Sequence, residues 1–488
     1  MKVFRTLGAA ALALLLCSGI AIAQKPFTPG TWTATKNAPP FPAGHAQLLS
    51  DGSVLVFNGS CNATGNTYRL VPDLTGSYIH GKWVNSGALP AGYNPLYFAS
   101  EVLPNGQLVV MGGEYNACQP VWTTLGALYM PWKNMWGPLA GPPGWTTIGD
   151  AQSIVLPNGK MMLANCCSKQ EAILTLTGTV ASWAATGSGK ADSNDEEGWT
   201  MLPGGKILTV NAYSSGGCCP MRYQIYNPTT GAWTTPSGTT VVNLVDPGSS
   251  DLGPIALLPN GTVFAAGGTT NNAIYTVSTG KWAKAPSFGS GLDVADGPAA
   301  VLPDGNLLLD ASPGVYLKGS KFFEWDGGKL HSVPGPPNAA TDSSYYGDMV
   351  VLPTGQILFT DFSSIVEIYA PVGSPCAGCA PTITSVAKTL THGSTNNAIK
   401  GTQFNGLTQG AYYGDDNQNN SNFPLVRITD SAGHVFYCRT HNWTSGLGTG
   451  KTIVSTLFDV PSSIALGAAT LRVVTNGIPS AAVAVTID

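Results

Sequence analysis

The stretch VLPNGQLVVMGG (residues 102–113) is two short apolar runs on either side of Asn-Gly, and near-copies of it occur six more times. They are LLSDGSVLVFNG (48–59), VLPNGKMMLANC (155–166), MLPGGKILTVNA (201–212), LLPNGTVFAAGG (257–268), VLPDGNLLLDAS (301–312) and VLPTGQILFTDF (351–362). Each reads as strand, two-residue turn, strand. Asn-Gly and Asp-Gly suit a tight hairpin whose central residues both take positive φ. The residues after the turns (Ser53, Gln107, Lys160, Lys206, Thr262, Asn306 and Gln356) are 44 to 56 apart. That period is the length of a four-stranded propeller blade, kelch-like in pattern.

A second phrase falls between the hairpins. HGKW, TTGAW and STGKW place Trp83, Trp233 and Trp282 at the turn into a blade's outer strand. The seventh hairpin lacks this phrase, and a stray copy, PGTWTATKNAPPF (29–41), stands near the N-terminus. The simplest closure puts that N-terminal strand into the last blade. The expected fold is therefore all-β: a seven-bladed propeller over 24–372, a linker over 373–380, and an immunoglobulin-like sandwich over 381–488. In the last segment, strands such as PLVRITD and TLRVVTNG alternate apolar and polar residues.

The first residues, MKVFRTLGAAALALLLCSGIAIAQ, combine Lys2 and Arg5, an apolar run, and the small-residue site Ala21-Ile22-Ala23. That is the pattern of a secretory signal over 1–23, so a secreted or periplasmic protein is expected. No other run approaches the length of a membrane span. Charged residues make up 10% of the chain and the net charge is −4, against about 25% charged residues on average. With no basic patch to neutralise phosphates, nucleic acid is not an expected partner.

The layout resembles the galactose oxidase family: closing strand, seven kelch-like blades, immunoglobulin-like domain, with NGIPSAAVAVTI near the C-terminus. The resemblance implies the fold and, in that family, a copper ion on the propeller axis. Its ligands there are an axial Tyr and a His opening the seventh blade, a redox-active Tyr from the third blade, and a His from the last domain. A Cys from the second blade is cross-linked to the redox Tyr. Here Tyr345 matches the axial Tyr, but Tyr346 stands where the His belongs. Tyr97 replaces the cross-linking Cys, Asp150 replaces the redox Tyr, and Cys167 falls near the position of the third-blade Trp that, in the family, stacks over that cross-link. His441, in CRTHNWTS, is the candidate for the last domain's His. The radical cofactor cannot form from these residues, and copper is not the expected cofactor.

What stands at the mouth instead is acidic. The position ten before each post-turn residue holds Ala43, Tyr97, Asp150, Glu196, Leu252, Asp296 and Tyr346, with Asp195, Glu197, Asp251 and Asp348 close by. The chain has only 27 acids, so this is a concentration. Crowded carboxylates raise one another's pKa, which suits acid/base work with Asp150, Glu196, Asp296, Tyr97 or Tyr346. The same oxygens are also a donor set for Ca²⁺, and an Asp at a strand start also serves simply as an acceptor for turn N–H groups. The expected partner is a glycan or small polar ligand. The substrate alternatives are a lyase or hydrolase reaction, or divergent copper oxidation through Tyr345, Tyr346 and His441.

Nine cysteines follow the leader. Cys376 and Cys379 are placed to bridge the linker, and Cys61 and Cys118 to join blades one and two. Two vicinal pairs, Cys166-Cys167 and Cys218-Cys219, follow the second strands of blades three and four, on the face that carries the acids. They suit structural disulfides or a ligand platform, and a four-Cys zinc site is the third reading. His45 opens the first blade near the axis. The polar loop YYGDDNQNNSNFP (412–424) is read as either ligand-binding or solvated.

Overall fold

The computed structural model describes residues 27–60, 65–213 and 220–488. The segment expected to be a secretory signal, Cys61 and the Cys218-Cys219 pair lie outside the described residues. No described helix is long and apolar enough to cross a membrane.

Seven antiparallel sheets follow one another along the chain. Blade one runs from Ala43–Leu48 to Lys82–Ala88, blade two from Ala99–Val102 to Met135–Ala140, and blade three from Ser153–Val155 to Val180–Thr186. Blades four, five and six begin at Thr200–Met201, Ile255–Leu257 and Ala299–Val301. Blade seven takes Asp348–Val351, Ile357–Thr360 and Glu367–Ala370 from the end of the array, and its outer strand is Thr31–Ala34. Thr31 pairs with Ala370 and Ala34 with Glu367, so the N-terminal strand closes the ring. The expected all-β propeller is the observed fold.

The hairpin turns differ from the sequence expectation. In the second and sixth hairpins only the glycine is left-handed: Gly106 has φ +83° and Gly305 +94°, while Asn105 and Asp304 are not in that region; in the fourth, Gly204 and Gly205 both are. Gly106 N–H donates to Leu103 O and Leu103 N–H donates to Gln107 O, the pattern of a type I turn followed by a bulge glycine. Proline favours this turn without being required for it, since the first hairpin has Ser50 in its place and the same bonds, Gly52 N–H to Leu49 O and Leu49 N–H to Ser53 O. Pro104 pre-sets the φ that the first central position of a type I turn needs, and Asn105 Oδ1 then accepts the N–H of Gln107 at 2.9 Å.

Outer-strand tryptophans tie several blades to the one before. Trp136 Nε1 donates to Thr67 Oγ1, Trp183 Nε1 to Ala140 O and Trp233 Nε1 to Glu171. Trp32 donates to Pro334 O in blade six and packs on Phe322, Phe359 and Tyr369.

Two further sheets pack face to face around Ile399, Phe404, Val426, Phe458 and Leu471. This sandwich sits on the face of the propeller that carries the hairpin turns: Thr440 N–H donates to Ser50 O at 3.0 Å, and Gly477 abuts Gly355. From it, residues 409–422 rise into the propeller axis. Ala411–Tyr412 adds a fifth strand to blade six beside Ala299–Val301. Gln409 Oε1 accepts from Met201 N in blade four, Asn419 donates to Met349 O in blade seven, and Asn420 donates to Glu101 in blade two. Asp415 through Ser421 are all buried. The loop expected to be ligand-binding or solvated is an axial plug, because its amides replace water for the inner strands it passes.

Candidate functional site

The plug ends at Tyr413, Gly414, Asp415 and Asp416, on the face opposite the sandwich. Glycines let it come close. A Cβ on Gly414 would sit 2.5 Å from Asp296 Oδ1, and one on Gly198 would sit 2.5 Å from Gly414 O. The ring positions read from the sequence surround this tip. Tyr97, Glu196 and Asp296 occupy the same place in blades two, four and six and share a left-handed backbone, with φ +51°, +56° and +48°. For residues with a Cβ that conformation is costly, and the surrounding structure must hold it. Asp296 is held by its N–H donating to Leu252 O.

Glu196, Asp251 and Asp296 each offer a carboxylate oxygen, and the three lie within 4.8 Å of one another. Asp150 and Asp415 stand close enough to raise the pKa of Glu196 and Asp296, and Asp296 in turn raises that of Asp416. Asp251 and Asp416 are each 1% exposed. One oxygen each of Asp150, Asp251 and Asp296 and both of Asp416 are buried without a hydrogen-bond partner. Among the described residues no Lys or Arg pairs with any of them. Burial, then mutual repulsion, holds Glu196, Asp296 and Asp416 well above the usual carboxylate range. In Asp415 burial is again the largest cause, followed by Asp150. Asp150 is pushed up to about 7, chiefly by burial, with its hydrogen bond to Cys166 opposing the rise.

Opposite the acids is an aromatic ledge. Tyr97 lies 6.3 Å from Tyr115, 6.4 Å from Tyr345 and 5.9 Å from Phe362 between ring centroids; Tyr345 lies tilted at 4.2 Å from Tyr346 and edge-on at 5.1 Å from Tyr316. Burial and neighbouring negative charge raise the Tyr97 and Tyr316 phenols, so both act as hydrogen-bond donors at neutral pH. Tyr413 OH reaches Tyr345 O at 2.7 Å and ties ledge to plug.

The structure thus brings together Tyr97, Asp150, Glu196, Asp296, Tyr345 and Tyr346. Cys166 and Cys167 are beside them, as free thiols whose sulfurs are 2.8 Å apart, with Cys166 Sγ 3.8 Å from Asp195 Oδ1. Cys376 and Cys379 are bridged, and Cys118 is disulfide-bonded. His441 is a correction: it sits in the sandwich, 3.2 Å from Asp459 and one residue from the Thr440 contact with the hairpin-turn face. Glu197 is buried away from the mouth on Lys190 at 2.8 Å. His45 bridges Asp348 at 2.8 Å and Ser100 at 2.9 Å deep beside the plug, where Ser100 is fully buried.

Several site residues were missed by the sequence reading. Glu114 and Tyr115 follow the second strand of blade two, in GGEYN, at the place that flagged Cys166 in blade three. Asp415 and Asp416 lie in the loop read as either ligand-binding or solvated, but the sequence did not place them at the mouth, since a polar loop in another sheet system does not announce where it inserts.

The donor set does not fit the family's copper. Among the described residues no imidazole stands with Tyr345 and Tyr346, and carboxylate oxygens suit hard cations rather than Cu(II).

No family model matches the chain, and no curated protein matches it significantly. Among solved structures, a fungal alcohol oxidase of the AA5 family, in complex with copper, is similar at a TM-score of 0.53 and 13% identity, covering 94% of this chain and 100% of that one. The extracellular domain of a putative one component system from B. thetaiotaomicron is similar at a TM-score of 0.48 and 11% identity, covering 85% of this chain and 52% of that one. At such identities the likeness is one of fold.

Proposed function

We propose that this chain is an exported binding protein whose propeller mouth holds a hard divalent cation of the Ca²⁺ class and, through it, a hydroxylated ligand such as a glycan. One observation carries the reading: Glu196, Asp251 and Asp296 converge within 4.8 Å, Asp251 and Asp296 each keep a buried, unpartnered oxygen, and among the described residues no Lys or Arg pairs with them. Isolated buried carboxylates are costly unless protonated or paired, and Ca²⁺ takes six to eight oxygens from carboxylates, carbonyls and ligand hydroxyls. Asp415 and Asp416 supply further oxygens at the plug tip. The tyrosine ledge offers sugar rings an apolar face with phenol donors at its edge, the arrangement in which Tyr serves as both body and handle.

Acid/base cleavage of the same ligand is the second reading. It is favoured by Asp150, whose pKa of about 7 would let it donate or take a proton near neutrality.

The test is retention of the purified chain on a panel of immobilised polysaccharides, with calcium and with a chelator. Retention that the chelator abolishes supports the reading; retention indifferent to the chelator, or none on any polysaccharide, rejects it. Release of shortened sugars would select the cleavage reading.

A further inference from the structure

The pair Cys166-Cys167 is not used by the cation site, yet it borders it. Cys166 is buried and Cys167 exposed, their sulfurs are 2.8 Å apart, and both thiols hydrogen-bond to Asp195. That separation is inside the contact distance of two unbonded sulfur atoms. Cys167 has a left-handed backbone, φ +61°, which turns its side chain back toward its neighbour. Cys166 N–H donates to Ile148 O and Cys167 N–H to Asn194 O, so both backbones are fixed from blades three and four. The two sulfurs have little freedom to separate.

We propose that Cys166 and Cys167 form a reversible vicinal disulfide at the rim of the mouth, and that closing it tightens the cation site. The oxidant is a small-molecule disulfide. The exposed Cys167 sulfur attacks it and displaces one thiol, and Cys166 then attacks the mixed disulfide and displaces the second. One S–S bond forms as one breaks, and the two protons leave on the released thiols. The ring so formed has no S–H to donate. Asp195, next in the chain to Glu196, loses its thiol donors and keeps Tyr213, and Asp150 loses the Cys166 thiol, so carboxylate oxygens beside the cluster are released to face the cation. The effect on affinity rests on the cation reading; the disulfide itself does not.

The chain offers a clean readout, because tryptic peptide 161–169 (MMLANCCSK) holds these two cysteines and no other. The purified full chain would be treated with oxidised glutathione, blocked with iodoacetamide, digested and weighed. The expected product is an unalkylated linear peptide lighter by two hydrogens than its reduced form. A doubly alkylated peptide, a glutathione adduct, or a cross-link to a third cysteine overturns the disulfide. Calcium affinity, measured on oxidised and reduced chain, is expected to be severalfold tighter when oxidised and indifferent to redox state in C167S. Equal affinities despite a formed ring overturn the coupling. No calcium binding in either state overturns the cation reading and leaves the mass result to decide the disulfide alone.

Discussion

The side-chain amide of Asn420 donates to both carboxylate oxygens of Glu101, at 2.9 and 3.0 Å. The first residue belongs to the axial plug, the second to the inner strand of blade two, so this contact is one of the pins that hold the plug in the axis. Burial raises Glu101 to about 8, against the hydrogen bond from Asn420 that lowers it. An acid whose pKa is raised on folding binds more protons folded than unfolded, so stability falls as pH rises from the unfolded value near 4.5 toward 8, and is flat outside that window. Each pKa unit is worth about 1.4 kcal/mol, which makes Glu101's share a few kcal/mol at most. E101Q keeps an acceptor for Asn420 and carries no charge. Its urea midpoint should match the native chain at pH 5 and exceed it at pH 8; equal midpoints at both values would contradict this.

The closing strand gives a second expectation. Trp32 packs on three aromatic rings and bonds to Pro334, linking blades seven and six. W32A should cost about 3 kcal/mol, the low end for a Trp truncation because the ring is only partly buried. A loss below about 0.5 kcal/mol by urea unfolding, the range of ordinary surface changes, would mean that the strand does not hold the ring closed.

Gly414 is where plug and mouth meet. An added Cβ would meet Asp296 Oδ1 at 2.5 Å and Leu252 O at 2.9 Å, so G414A must push the tip away from the carboxylates. Calcium affinity should fall at least tenfold, about 1.4 kcal/mol, while the far-ultraviolet spectrum of the sheets is unchanged. Native-like affinity in G414A would remove the plug tip from the site.

How much of this was legible in the sequence follows from what is local. Hairpins, blade count and ring closure are written in turn residues and strand periodicity, which depend on near neighbours. The ring positions Tyr97, Asp150, Glu196 and Asp296 followed because each blade repeats the same geometry. The plug did not, since Asp415 and Asp416 are positioned by pairing with Ala299–Val301, more than a hundred residues away. His441 failed for the same reason in reverse: a family pattern suggested the axis, and Asp459 holds the side chain in the sandwich instead. Even the turn type departed from the expectation, with Gly106 in the left-handed region and Asn105 outside it.

Proton competition supplies a fourth expectation. Glu196, Asp251 and Asp296 are all raised by burial, Glu196 and Asp296 further by neighbouring carboxylates and Asp251 by Asp246, and Asp150 lies at about 7. A cation needs them deprotonated, so binding should release protons, be weak at pH 5.5 and strengthen through pH 8. Calorimetry in buffers of different ionisation heat measures that release directly; affinity independent of pH would contradict it.

The central claim is best tested by equilibrium dialysis of the chelator-stripped chain against calcium, read together with its thermal unfolding. The account predicts a bound calcium ion that raises the unfolding temperature, with stabilisation near 2.7 kcal/mol at a hundredfold excess over Kd. D251N should abolish that rise, and without calcium it should be more stable than the native chain because one repelling buried charge is gone. No bound calcium, or the same binding in D251N and D296N as in the native chain, would contradict the reading of the mouth as a cation site.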